Sequence, residues 1–317
     1  MHTLAPASEK LPSEQLRHES RDVAARMGEK LPAGHARQSL SWLLPMELAK
    51  VPALHSMQSV TKSVVSARVG IAISRGEFPG LDTPVLEFFD EAAVLNINQP
   101  KRAITLRNLL TMSDGLLWDE NLPYNDPDNS FAVMTKAHDW VKYTLDLPMG
   151  NEPGSGFNYN SGATLILGHI FRLATGIDIE EYAVEHLFTP LGINDYFWDR
   201  TPYGLTDTQE GLYISARSLA KIAQLFLQTG RWEGEQVIPA TWVEESIAPH
   251  YLTGETGDES YGYLWWSQSY TFDETTLRAY FGKGFGGQRP IFLPELGLVI
   301  VLTGWNILPG QPFFHAM

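Results

Sequence analysis

The chain contains no cysteine, which excludes disulfides, thiol catalysis and thiolate zinc sites. Basic residues are scarce: 23 Lys and Arg stand against 37 Asp and Glu, a formal net charge of −14. Such a field repels a polyanion, so no nucleic-acid partner is expected. No stretch approaches the roughly 18 to 20 consecutive apolar residues that a membrane span needs. The opening segment, MHTLAPASEKLPSEQLRHESRDVAARMGEK, lacks the apolar centre of a signal peptide. A cytoplasmic location is therefore expected, with a bacterial envelope compartment left open. The nine histidines form neither His-x-His nor His-Glu-x-x-His, so no metal is expected, and Gly282 to Gly287 lacks the Gly-Lys-Ser/Thr ending of a phosphate loop, so no nucleotide cofactor is expected.

What is present is material for a large core: 44% of the 317 residues are hydrophobic and 11% aromatic. Residues 1–38 are polar and mixed in charge and read as a loosely ordered segment. Residues 39–317 read as one domain, with a helical region at about 77–210 and a sheet mainly from 260–305. The chain shows no internal repeat, and its oligomeric state is open.

Apolar periodicity predicts a helix opening at Ser59 and ending near Arg75-Gly76, with Val60, Val64, Val65 and Ala72 facing a core. Further helices are predicted over 84–89, 105–112, 131–147, 163–173, 177–188, 215–227 and 239–248. The pattern then shortens to aromatic and β-branched runs at 261–266, 276–281, 290–293 and 298–303, read as successive antiparallel strands. Leu298 to Leu302 is apolar on both faces and is expected to be a central strand. The fold class is α+β, an antiparallel sheet flanked by helices with an adjoining mainly helical region.

Within the first helix, Ser59-Val60-Thr61-Lys62 places a hydroxyl and an ammonium three residues apart, on one face. A free serine is a poor nucleophile at neutral pH and needs a neighbour to take or displace its proton. Ser-x-x-Lys alone occurs by chance in many proteins, so the rest of the chain has to support it. Two further stretches do. Tyr159-Asn160-Ser161 follows a Gly/Pro loop and precedes a buried helical run. Gly282-Lys283-Gly284 opens a glycine-rich stretch before a strand.

In that order and at similar spacings, these three stretches resemble the motifs of the serine β-lactamase and penicillin-binding-protein superfamily. The likeness is strongest to its class C-like serine hydrolases, the group holding 6-aminohexanoate-dimer hydrolase and β-lactamase-like esterases. It runs from about His55 to Asn306 and takes in stretches without chemistry, such as ITLRNLLTMSDGL and FGGQRPIFLP. The resemblance implies a β-lactamase/transpeptidase-like fold and a small-molecule ester or amide as substrate. Ser59 would be the acyl-forming nucleophile, with Lys62 and Tyr159 as activating and proton-transfer groups. An adjacent ammonium would draw the Tyr159 phenol down toward working pH. The oxyanion hole would comprise the backbone N–H groups of Ser59 and Phe285. Ser161, Gly282, Lys283 and Gly284 would contact substrate, and the Asp-, Asn- and Pro-rich loop over 118–129 offers Trp118 and Tyr124 as a pocket wall for it.

The motifs depart from the usual pattern in two places. Ser161 stands where many relatives have Asn, and Gly282 where they have Lys or His. The cation that would dock a β-lactam carboxylate is then missing unless Lys283 or Arg289 replaces it. Both changes favour an esterase or amidase over a penicillinase. The other readings are a non-catalytic ligand-binding relative and a β-lactamase or D-Ala-D-Ala peptidase. Asp119 and Glu120 are further candidates for substrate contact, and Trp265 and Trp266 read as core strand residues.

Overall fold

The computed structural model describes residues 53–253, 258–272 and 275–304. The polar N-terminal segment expected over residues 1–38 lies outside them. The fold is built around one helix. A two-residue strand, β1 (His55–Ser56), leads through Met57, Gln58 and Ser59 into α1 (Val60–Ser74), which is buried along its length from Val60 to Ala72. This helix is surrounded, not amphipathic. Its polar side chains survive burial because most find partners. Ser63 Oγ donates to the Leu264 carbonyl at 2.7 Å, and the Arg68 guanidinium lies between the rings of Phe188 and Trp198, at 4.9 and 4.7 Å from their centres.

The helical region follows. A 3-10 turn (Val85–Phe88) stands where a short helix is predicted, followed by a second turn (Glu91–Ala93) and α2 (Gln99–Arg102). Next comes α3 (Leu106–Leu110), capped by a reciprocal Thr105–Asn108 box. The single helix predicted over 131–147 is two, α4 (Ser130–Met134) and α5 (Trp140–Asp146). The break has a local cause: Asp139 accepts from the Lys142 N–H at 2.9 Å and starts a new helix. Then come α6 (Ser161–Thr175), which ends on the left-handed Gly176, and α7 (Ile179–Ala183), which runs into a π turn (Val184–Phe188). A small sheet of order β1-β3-β2 joins the start of the chain to β2 (Tyr196–Trp198) and β3 (Leu212–Ile214).

The second half is the main sheet. The helix α8 (Ala216–Leu227), a small hairpin of β4 (Arg231–Trp232) and β5 (Glu235–Gln236), and α9 (Ala240–Ile247) precede it. Six antiparallel strands follow in the spatial order β11-β10-β9-β8-β7-β6. They are β6 (Tyr251–Leu252), β7 (Glu259–Tyr261), β8 (Trp266–Phe272), β9 (Thr275–Phe281), β10 (Arg289–Leu293) and β11 (Leu298–Leu302). Tyr261 to Trp266 is therefore not one strand. Tyr261 and Trp266 are cross-strand partners, and Leu264 turns the chain between them with φ +62°. Nor is β11 central: among the described residues it is the sheet's last strand. Val299 and Val301 pack on the core, while Leu298, Ile300 and Leu302 are each about two-fifths exposed. No single helix among the described residues is long and apolar enough to cross a membrane.

Candidate active site

Gln58, with φ +50°, turns the chain sharply from β1 into α1. That turn leaves Ser59 at the helix N-cap, where its own N–H donates to no protein acceptor among the described residues. One turn on, the buried Lys62 Nζ donates to Ser59 Oγ at 3.0 Å and to the Gln209 carbonyl at 2.9 Å. The Gln209 bond gives the ammonium a second, main-chain anchor beside the nucleophile.

Tyr159 comes from a different part of the chain. Its ring centre is 5.3 Å from Lys62 Nζ, and its hydroxyl lies near enough to Ser59 and Lys62 for both to favour the ionised phenol. The ring stacks on Trp266, centres 5.8 Å apart, and meets Tyr261 edge-on. Burial raises the Tyr159 pKa above the usual phenol value, and the Lys62 ammonium and the nearby Ser59 hydroxyl offset this only in part. The lowered phenol expected from the sequence is thus reversed: desolvation outweighs the adjacent cation, and Tyr159 rests protonated.

Two loops are joined beneath this trio. Asn158 takes a backbone bond to Met112 and donates its side-chain amide to the Trp118 carbonyl at 2.8 Å. Asn160 caps α6 and donates to Asp114 Oδ1 at 3.2 Å. Burial raises the Asp114 carboxyl to about 6. Glu120 completes the joint, its Oε2 accepting from Trp118 Nε1 at 2.8 Å and from the Ser161 N–H at 2.9 Å. Its Oε1 accepts from the Ser161 hydroxyl at 3.0 Å. The carboxylate also sits at the positive end of the α6 dipole.

Ser59, Glu120, Tyr124, Tyr159, Lys283 and Phe285 share the wall of one cleft of about 580 Å³, with Gly284 and Trp266 beside them. The remaining candidates sit elsewhere. Trp118 is buried behind Glu120, Ser161 is buried with its hydroxyl on Glu120, and Gly282 packs against Val60 and Pro290. Asp119 is held within its own loop by Ser130 and Asn121. Phe285 lies edge-on to Tyr124 at 5.8 Å, on the turn that Gly286 and Gly287 allow with φ of +81° and +103°. Lys283 forms an ion pair with Glu259 and lies over the Trp266 ring, 3.9 Å from its centre. Burial lowers the Lys283 pKa, and Glu259 pulls it back up in part.

Trp266 and Glu259 are among the wall residues that sequence reasoning missed, with Asn121, Phe157, Asn158 and Thr253. Trp266 opens β8 directly after the turn at Leu264, and nothing in the sequence separates it from its buried neighbour Trp265. Among the described residues no cluster of His, Asp or Glu has the makings of a metal site.

The chain belongs to the Beta-lactamase family, whose sequence profile matches residues 51–305. The geometry above is thus set in a β-lactamase/transpeptidase-like fold. Among curated relatives, the 6-aminohexanoate-dimer hydrolase of Paenarthrobacter ureafaciens is 25% identical over 273 residues, covering 79% of this chain and 66% of that protein. The monacolin J acid methylbutanoyltransferase of Aspergillus terreus is 35% identical over 114 residues, covering 35% of this chain and 27% of that one. The chain thus spans less than two thirds of either relative's length. Among solved structures, a Bacillus anthracis protein named for the same dimer hydrolase superposes with a TM-score of 0.68 at 22% identity, over 82% of this chain and 69% of that one. A D-stereospecific amidohydrolase from Streptomyces sp. gives 0.60 at 16%, over 78% and 80%.

Proposed function

We propose that the chain is a serine hydrolase that cleaves a small ester or amide through an acyl-enzyme on Ser59. The observation that carries this reading is the 3.0 Å bond from Lys62 Nζ to Ser59 Oγ, with the Tyr159 ring 5.3 Å from that ammonium and on the same cleft wall as Ser59. Ser59 Oγ attacks the carbonyl carbon, and as the new C–O bond forms its proton moves to the Tyr159 oxygen while the phenol's own proton moves on to the leaving alcohol or amine, whose bond to that carbon breaks. Lys62 keeps its charge throughout. Water then attacks the acyl ester, its proton moves to the Tyr159 oxygen, and the phenol's proton passes to Ser59 Oγ as the acyl C–O bond breaks. Because Tyr159 rests as the phenol, its part is to carry a proton, not to stand as a phenolate base. The developing oxyanion falls to the Ser59 N–H, at the positive end of α1, and to the Phe285 N–H.

The charges lining the cleft favour a substrate without a carboxylate beside the scissile bond. Lys283 is already committed to Glu259, and Glu120 adds a negative charge of its own. That weakens the β-lactamase and D-Ala-D-Ala peptidase readings. A second reading, acyl transfer to an alcohol in place of water, draws support from the relative named as a methylbutanoyltransferase.

The test is a fluorophosphonate probe, together with pre-steady-state release from a p-nitrophenyl ester. Expected are a probe adduct whose mass maps to Ser59, a burst, and loss of both in Ser59→Ala. Folded protein that takes up no probe and shows ligand-induced stabilisation without turnover overturns the enzyme reading in favour of a binding protein. Adding an alcohol and measuring how the acyl group partitions between it and water separates transfer from hydrolysis.

A further inference from the structure

A second cavity, of about 210 Å³, shares no lining residue with the cleft. It opens where α5 packs beside α6, under the 3-10 turns at 85–93. Its floor is apolar: Phe89, Val94, Val141, Leu145 and Leu205. An engineered apolar cavity of roughly 150 Å³ stays dry and takes up benzene, so this one has room for a single aromatic ring.

His169, on α6, forms part of the wall and stacks on Phe89, ring centres 5.7 Å apart at 27°. Its Nδ1 is buried and has no hydrogen-bond partner among the described residues. Burial also lowers the pKa of this imidazole, which keeps it neutral. An unmet buried nitrogen is costly for a fold to keep, and this one belongs to a ring that lines the cavity.

The mouth carries charge mainly of one sign. Asp90, Asp139 and Asp146 line it, against the ammonium of Lys142. Asp90 and Asp139 cap the turns that follow them, accepting from the Ala92 and Lys142 N–H groups. Asp146 accepts from the Leu95 N–H at 2.9 Å and from Lys142 Nζ at 2.7 Å. Among the lining side chains three carboxylates stand against one ammonium, with Lys101 acting on Asp146 from outside the wall.

We propose that this cavity is a binding site for a small arylalkylamine. The aromatic ring fills the floor beside Phe89 and His169, and the ammonium stays at the carboxylate rim. The site is independent of the Ser59 chemistry, because none of its residues belongs to the cleft.

The experiment is an NMR titration of the full chain with 2-phenylethylamine, 2-phenylethanol and phenylacetate. Expected is saturable binding of the amine, with a dissociation constant on the order of 1 mM for so few atoms. Shifts should centre on Val141, Leu145 and His169, not on Trp266. The alcohol should bind about fivefold more weakly than the amine, as for one partly solvated ion pair, and the acid more weakly still. Val141→Trp should abolish binding with the amide spectrum otherwise preserved, and Leu205→Phe serves as a second filling variant should the first fail to fold. Asp146→Asn should narrow the gap between amine and alcohol. No saturable response to the amine, equal binding of all three compounds, or shifts centred on Trp266 would each overturn the proposal.

Discussion

Glu259 and Lys283 form an ion pair at the cleft wall, with the lysine's ammonium seated on the face of Trp266. The pair removes from service a lysine placed to meet an anionic substrate. Substituting Glu259→Gln should free it, while the amide oxygen that replaces the carboxylate keeps the contact with Thr253. The expected result is a rise of about tenfold in kcat/KM for a carboxylate-bearing ester relative to its neutral analogue, the scale of one charge-assisted hydrogen bond. An unchanged ratio would mean that Lys283 does not face the substrate.

Tyr159→Phe removes one oxygen and leaves the stack on Trp266 in place. Thermal stability should stay close to that of the unsubstituted protein. Ester turnover should fall by roughly 10²- to 10⁴-fold, the usual worth of a positioned proton carrier. A variant that retains most of its kcat would remove Tyr159 from the mechanism.

Glu120 accepts three hydrogen bonds that tie the Trp118 loop to the first turn of α6. Glu120→Ala strands those donors, at about 1–3 kcal/mol for each that stays buried and unmet. Since Tyr159 lies just ahead of this turn, kcat should fall more than KM rises. Glu120→Gln, which keeps one acceptor oxygen, should recover part of the loss. Equal effects of Ala and Gln would show that charge, and not the tie, is what matters.

Asp207 is buried near the ammonium of Lys62, and desolvation raises its carboxyl to about 7, helped by the nearby Glu210. The folded chain therefore binds this proton more tightly than the unfolded chain does. The resulting penalty is absent below about pH 4, grows up to about pH 7, and is constant above that. Asp207→Asn keeps an oxygen for the Gln209 and Glu210 N–H groups and removes the penalty. Its stability relative to the unsubstituted protein should climb across that window by no more than about 4 kcal/mol. Parallel urea midpoints at pH 5 and pH 8 would contradict this.

Gly70 sits in α1 where a Cβ would lie 2.2 Å from the Trp242 ring. Alanine ordinarily stabilises a helix interior over glycine by about 1 kcal/mol. Here the clash with a buried indole should win, and Gly70→Ala should destabilise by about 1–3 kcal/mol or more in chemical denaturation.

Much of this is legible in the residues. Thr105, Ser215 and Gly176 mark element ends because caps are local chemistry, and the three motifs lie in order along the chain. The differences between sequence and structure arise mostly where distant positions meet. The 131–147 helix breaks at a cap that apolar spacing does not register, and Tyr261 and Trp266 oppose each other across a turn that no Gly-Asn or Gly-Asp pair announces. The protonation of Tyr159 is hidden for the same reason: a neighbouring charge can be read from the motif, whereas the dry packing of Phe157, Tyr261 and Trp266 around it cannot.

The strand β11 ends the described sheet with Leu298, Ile300 and Leu302 uncovered. A border of this kind offers backbone amides and a greasy ladder to any extended peptide that drifts past. The tendency of the purified protein to cloud on concentration should therefore respond to polar substitutions at Leu298, Ile300 and Leu302.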